Sequence, residues 1–226
     1  MSDTRVVLLD IEGTIAPIAF VHETLFPFAR ERLSDFLARH WDEPAVREAR
    51  TQIARDAGEG EFSIEPLVEH LSALMDADVK ATGLKMLQGL IWEGGFRDGV
   101  LKSPLFEDVP PALRRWNGEG RRVCIYSSGS IAAQRLFIAH TEHGDLSPLI
   151  DGNFDTTTGP KREAASYAQI ARHLETAAAD IVFASDVVEE LNAAASAGMQ
   201  TRLAIRPGNP TQPASDHLAI RRFDDV

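Results

Sequence analysis

Asp10 and Glu12 stand on alternate positions just after an uninterrupted apolar run, Val6–Leu9, and Gly13 and Thr14 follow them. Three further polar sets lie downstream. Ser127-Ser128-Gly129-Ser130 follows RVCIY, Lys161 follows Gly159-Pro160, and Asp186 with Glu189 and Glu190 follows DIVFA. Together these residue types suit a phosphoryl group and a hard cation. Asp10 and Asp186 offer oxygen ligands of the kind Mg2+ takes. With phosphate charge neutralised, the Asp10 carboxylate can attack phosphorus and form an aspartyl phosphate. Glu12 is placed to protonate the leaving alkoxide and later to activate water. The Ser127 hydroxyl and adjacent N–H groups would hold phosphate oxygens, and Lys161 would pair with both the phosphate and Asp10. Such positioning and charge stabilisation is most of what phosphoryl transfer requires.

Each set taken alone has a plainer reading. A strand-end Asp can cap a turn, and Ser-Ser-Gly-Ser can be a turn followed by a helix cap. A lone lysine is ordinarily solvated. Acids at 186, 189 and 190 can simply complement a helix N-terminus. Glu189 reads as surface, whereas Glu190, one helical turn beyond Asp186, could support a metal ligand there. The four sets gain meaning from their order, because three of them close apolar runs of strand length.

The elements that must position these residues follow from periodicity. Short continuous apolar runs suit strands buried on both faces of a parallel sheet. Ligands of open α/β sheets bind beyond the carboxyl ends of such strands. Strands are expected at 6–9, 122–126, near Phe154, at 180–184 and 201–205, with an edge strand over 218–223. Helices are expected between them, the one after Asp108 capped by that residue. Residues ~20–95 interrupt this alternation with helical spacing alone. Four helices are expected there, with Asp42 and Ser63 as caps of the second and third; the fourth runs from about Lys80 to Trp92, stopped by Gly94-Gly95. The expected fold is therefore α/β, a doubly wound and mainly parallel sheet. Its core comprises residues 1–19 and 96–226, and a helical module of residues 20–95 is inserted after the first strand.

Bulk properties narrow the partners. The chain has 226 residues, with 23 Lys+Arg against 34 Asp+Glu and a net charge of −11. Nucleic acid and anionic membrane surfaces are disfavoured as partners, and any phosphate site must be built locally. The one cysteine, Cys124, excludes an internal disulfide and falls in an apolar run that favours a buried, inert thiol. The opening residues do not read as a signal peptide and no apolar run has membrane-spanning length, so the cytoplasm is the expected compartment.

The ordered set from Asp10 to Asp186 resembles the haloacid dehalogenase superfamily of phosphatases, whose first motif usually carries Asp at the position of Glu12. Glu at that position, with LQGLIWEGGFRDGVLKSPLFEDVPPALRRW over 87–116 and YSSGSIAAQRLFIAHTEHGDLSPLIDGNFDTTTGPKREAASYAQIA over 126–171, is similar to the enolase-phosphatases of methionine salvage. The resemblance implies a HAD-like, Rossmann-type core and makes the helical module a cap. It also implies a bifunctional reaction on 2,3-diketo-5-methylthiopentyl-1-phosphate, enolised and then dephosphorylated to the acireductone, with one Mg2+ per monomer. Asp10 becomes nucleophile and metal ligand. Glu12 takes the acid/base and metal-site position, where the superfamily generally uses the main-chain carbonyl. Ser127 and Ser128 match the substrate-binding pair, Lys161 the substrate-binding lysine and Asp186 the remaining metal ligand. Glu12 and Glu93 are the candidates for the enolisation base. Trp92 and Phe96 read as packing residues, and His22, His70, His140 and His143 as structural or surface residues. The competing readings are a related phosphatase or dehalogenase acting on another small ester, and a phospho-accepting receiver module. Receiver modules lack a helical insertion between the first strand and the hydroxyl motif, which favours the capped enzyme.

Overall fold

The computed structural model describes residues 4–77, 79 and 81–226, apart from the side chain of Asp225. Six strands form one sheet: β1 (Val6–Leu9), β2 (Arg122–Tyr126), β3 (Gly152–Phe154), β4 (Ile181–Ser185), β5 (Gln200–Ala204) and β6 (Leu218–Ile220). Their order is β3-β2-β1-β4-β5-β6 and every pairing is parallel. The strand sequence runs outward in one direction from β1 to β3 and in the other from β4 to β6. The switch point, where ligands of such sheets bind, is therefore between β1 and β4.

All four residues of β1 are buried, as its lack of alternation requires for a strand covered on both faces. Val6 and Leu8 join Cys124, Tyr126, Ile181 and Phe183 in a core closed by α7 (Ala164–His173) and α8 (Val188–Ser196). Val7, Leu9, Val123 and Ile125 alternate to the other face, where α5 (Val109–Gly118) packs on β2. The remaining helix of this part, α6 (Ile131–Ala139), packs near β3. Cys124 is fully buried, as its apolar surroundings led us to expect. No helix among the described residues is long and apolar enough to cross a membrane.

The chain divides into two compact units, Met1–Val21 with Lys102–Val226, and His22–Leu101. The second unit contains α1 (Phe26–His40), α2 (Pro44–Ala57), α3 (Ile64–Asp76) and α4 (Thr82–Arg97). Several ends differ from expectation for identifiable reasons. A π-helical turn, Phe20–Leu25, leads into α1; Pro27 has no N–H to close an α-helical bond back to Glu23. Glu43, not Asp42, is the N-cap of α2, because the residue before Pro44 is forced into an extended conformation. The expected start of the fourth helix, Lys80, lies outside the described residues. That helix also continues through Gly94-Gly95 to Arg97. Gly95 is a packing glycine rather than a stop signal: a Cβ there would sit 2.4 Å from the Phe28 ring on α1. Strands β4 and β5 are each displaced by one residue from the expected limits. The last strand stops at Ile220: the Arg221 carbonyl accepts from Arg206 Nη1 and the Phe223 N–H donates to Asp108 Oδ2 instead of continuing a ladder.

Candidate active site

The register explains why residues far apart in sequence share one edge. Leu9 lies opposite Ile125 of β2 and Ala184 of β4. Asp10 is the first residue beyond β1, and its N–H donates to Ala184 O at 3.0 Å. Ser127 is the first beyond β2 and Asp186 the first beyond β4. Adjacent strands lie about 4.8 Å apart, so all three strand-end residues line the switch point. Gly13 makes the turn after Asp10 with φ +68°, and a Cβ at Gly13 would lie 2.3 Å from Asp186 Oδ2. Both the left-handed backbone and the close approach of the carboxylate require glycine.

Lys161 comes to this edge from the loop before α7. Its Nζ lies 2.7 Å from Asp10 Oδ1 and 2.7 Å from Glu190 Oε2. Three successive carbonyls of that loop are each bonded by a hydroxyl. Tyr126 donates to Gly159 O at 2.8 Å, Ser166 to Pro160 O at 2.8 Å and Tyr167 to Lys161 O at 2.7 Å. These bonds fix the backbone that delivers the ammonium. Glu190 is held in turn by the Ser185 hydroxyl at 2.9 Å, and Ser185 Oγ accepts from Val187 N at 3.1 Å. Glu190 is thus joined to Asp10 through Lys161, which bonds both carboxylates.

The electrostatics are those of a cluster short of positive charge. Asp10, Asp186 and Glu190 are all buried, at 5%, 3% and 8% exposure, around the single ammonium of Lys161. Burial works against the charge on Lys161, but Asp10 and Glu190 more than offset it and hold its pKa above the ordinary value. Burial, then the charges of Asp10 and Glu190, push Asp186 up to about 7. Burial, then Asp10, push Glu190 up to about 7. Three carboxylates facing one ammonium leave an excess of negative charge, and hard oxygen donors in that state fit a divalent cation. Among the described residues no three His, Cys, Asp or Glu side chains group as a metal cage. The two strand-end carboxylates, Asp10 and Asp186, fit Mg2+, which takes one or two carboxylates and fills its remaining positions with water and phosphate.

The structure treats the other expected residues unequally. Ser127 is buried and its hydroxyl accepts from Gly129 N at 3.3 Å, whereas Ser128 is exposed. Their loop is fixed by Gln134, whose amide donates to Gly129 O at 2.9 Å and Phe154 O at 2.8 Å. Glu12 is half-buried, and its main chain bridges to Ala16. Asp108 occupies the N-cap position of α5 but makes no capping bond; its carboxylate is taken by Arg206 and Phe223 N. In the helical unit, Glu93 pairs with Arg97 on an exposed face. Trp92 donates to Leu25 O at 2.8 Å and faces Phe26, which accords with a packing role. His22 faces Phe26, and His70 stacks on Phe62. Sequence reasoning missed the residues that hold this site: Ser185, the Tyr126, Ser166 and Tyr167 hydroxyls, Gln134, and Arg206 with Asn209. The polar pair after β5 had a usable signal, since it follows another parallel strand at its carboxyl end.

A family model for haloacid dehalogenase-like hydrolases matches residues 4–198. Enolase-phosphatase E1 of Synechococcus elongatus is 48% identical over 231 residues, covering 97% of this chain and 96% of that one. Enolase-phosphatase E1 of Acidiphilium cryptum is 51% identical over 213 residues, covering 94% and 90%. Among solved structures, the UTR4 protein of Saccharomyces cerevisiae superimposes with a TM-score of 0.86 at 36% identity, covering 99% of this chain and all of that one. CbbY of Rhodobacter sphaeroides, at 14% identity and a TM-score of 0.62, shares the fold. This chain belongs to the haloacid dehalogenase-like hydrolases and, within them, to the enolase-phosphatase E1 family.

Proposed function

We propose that this chain enolises 2,3-diketo-5-methylthiopentyl-1-phosphate and then hydrolyses the phosphate monoester to give the acireductone of methionine salvage. The observation that carries this reading is identity of 42–51% over nearly the whole chain with proteins named Enolase-phosphatase E1. The buried Asp10–Lys161–Glu190 array beside Asp186 supports its phosphatase half.

Asp10, Asp186 and the main-chain carbonyl of Glu12 would hold Mg2+. When bound, the ion offsets phosphate charge and polarises the diketone oxygen, which favours loss of the neighbouring proton. Asp10 is the nucleophile: one carboxylate oxygen bonds to phosphorus as the phosphorus–oxygen bond to C1 breaks. Lys161, holding Asp10 Oδ1, fixes the carboxylate plane and offsets charge that develops on the transferring group. Glu12 donates a proton to the departing alkoxide. It then takes one from water as that water attacks the aspartyl phosphate, releasing inorganic phosphate and restoring Asp10. Ser127 and Ser128 bind the phosphate oxygens. Glu12 and Glu93 are the residues to test as the enolisation base. The helical insertion serves as the family's cap. The enzyme acts in the cytoplasm as a monomer on a small phosphate ester, with neither nucleic acid nor membrane as partner; its net charge of −11 supports the last two points.

Asp10→Asn tests the central assignment. Phosphorus NMR with the diketo phosphate should show a phosphorylated enol accumulating while inorganic phosphate release is lost. Full-rate phosphate release by this variant removes Asp10 as nucleophile. Stripping the enzyme with chelator should abolish phosphate release and Mg2+ should restore it; undiminished turnover in excess chelator contradicts the metal site.

A further inference from the structure

The turn after β5 lies at the same sheet edge as Asp10 and Asp186, and two of its side chains reach the loop that follows the nucleophile. Arg206 Nε donates to Thr14 O at 2.9 Å. The guanidinium is buried between the Phe106 and Phe223 rings, and its Nη1 bonds both Asp108 oxygens at 2.9 and 3.0 Å. Asn209 Nδ2 donates to Gly13 O at 2.8 Å and makes a longer contact with Ala204 O at 3.4 Å. Successive carbonyls of the catalytic loop are thus gripped by one short segment from elsewhere in the chain. Rigid support of this kind sets the position of Asp10 and of the backbone beside it.

The other end of the Asn209 amide is unusual. Its Oδ1 is shielded from solvent and has no hydrogen-bond partner. With Nδ2 committed to two carbonyls, the orientation of the amide is fixed by its bonds rather than by choice. Oδ1 faces the side of Gly13 where Asp186 lies. A Cβ built on Gly13 would sit 3.0 Å from Asn209 Oδ1 and 2.3 Å from Asp186 Oδ2. Both oxygens therefore lie against the same face of Gly13, close to each other. A buried acceptor left unmet is destabilising, so a protein that keeps one here gains when a donor arrives.

We propose that Asn209 is a positioning residue of the phosphoryl-transfer site, its amide N–H fixing the Gly13 carbonyl and its Oδ1 accepting from the hydration shell of the cation held by Asp186. This rests on reading the site as a Mg2+-dependent phosphatase. It assigns the turn after β5 a part in metal binding as well as in shaping the loop.

The test uses the full chain, with Mg2+ itself as the probe. Asn209→Leu keeps the branched shape but removes donor and acceptor; Asn209→Asp keeps an oxygen and loses the donor. Chelator-stripped wild type and both variants are titrated with Mg2+ by calorimetry, and kcat and KM are measured on the diketo phosphate per folded protein. Asn209→Leu should bind Mg2+ roughly tenfold or more weakly and lose kcat by a similar factor, with KM less affected, the size seen when groups supporting metal ligands are removed. Asn209→Asp should retain Mg2+ affinity and still lose kcat, because a carboxylate oxygen then faces the Gly13 carbonyl. Circular dichroism and urea midpoints establish folding, and Asn209→Ser replaces Asn209→Leu in the same comparison if the leucine variant does not fold. Mg2+ affinity and kcat within twofold of wild type in the variants overturn the proposal, whatever happens to their stability. A wild type that neither binds Mg2+ nor releases phosphate overturns the phosphatase reading instead.

Discussion

Replacing Lys161 by Met removes the only ammonium of the buried carboxylate cluster while keeping an unbranched chain of similar length. Its Nζ lies 2.7 Å from both Asp10 Oδ1 and Glu190 Oε2, and the side chain is 6% exposed. Removing one partner of a buried, hydrogen-bonded ion pair costs about 3–5 kcal/mol, because the other charge stays buried without compensation. With a urea dependence of about 2–3 kcal/mol per molar, the unfolding midpoint should fall by about 1–2.5 M near pH 8. The deficit should depend on pH with a definite sign. Asp186 and Glu190 have folded values pushed up to about 7, from 3.8 and 4.5, and the charge on Lys161 acts to lower both. A carboxyl raised on folding contributes stability that is fully present below its unfolded value and is lost as pH rises through its folded value. Without Lys161 those folded values climb further. The gap between wild type and variant should therefore widen from pH 5 to pH 8. The assay is urea unfolding followed by circular dichroism, in chelator, at unit steps of pH. Phosphate release, measured with Mg2+ present, should fall by roughly 100-fold or more, the scale of removing one preorganised charge-stabilising group. A deficit equal at pH 5 and pH 8, or one below about 1 kcal/mol at pH 8, refutes the picture of a cluster held by one ammonium.

Two other outcomes follow from local geometry. Gly13→Ala should lose phosphate release and Mg2+ affinity by tenfold or more and unfold at lower urea; wild-type behaviour by calorimetry and phosphate assay would contradict the close packing of Asp186 on Gly13. Burial, followed by the charge of Asp151, pushes the Cys124 thiol up to about 12. It should therefore resist thiol reagents at pH 8 until urea unfolds the chain. Its contribution to stability is complete below about pH 9 and declines by about 1.4 kcal/mol per pH unit from there to pH 12. Comparison with Cys124→Ala over that range should isolate the slope, and rapid labelling of native protein would show the site to be open.

Much of the candidate site could be read from the order of residues. A buried parallel strand has a local signature, four apolar residues without alternation, and the polar residue that ends it lies at the carboxyl edge wherever the strand sits in the sheet. Asp10, Ser127 and Asp186 were legible for that reason, and the long helical spacing of residues 20–95 marked the insertion. Element ends were less legible where a local signal had two meanings. Gly95 could stop a helix or admit the Phe28 ring, and Asp108 could cap α5 or take Arg206; only the partner's position in space decides between them. The same holds for what supports the site. Lys161 between Asp10 and Glu190, Gln134 on the serine loop, and Asn209 on Gly13 join residues 29 to 196 positions apart, or reach a main-chain carbonyl that carries no trace of its partner in the sequence. The sequence by itself determined the α/β core, the inserted helical unit and the polar residues that end its buried strands, because strand burial and chemical type are local properties. Tertiary structure alone decided how charge balances at Asp10, which glycines are required, and which distant side chains fix the loops, because those depend on sheet order and on close approach through space.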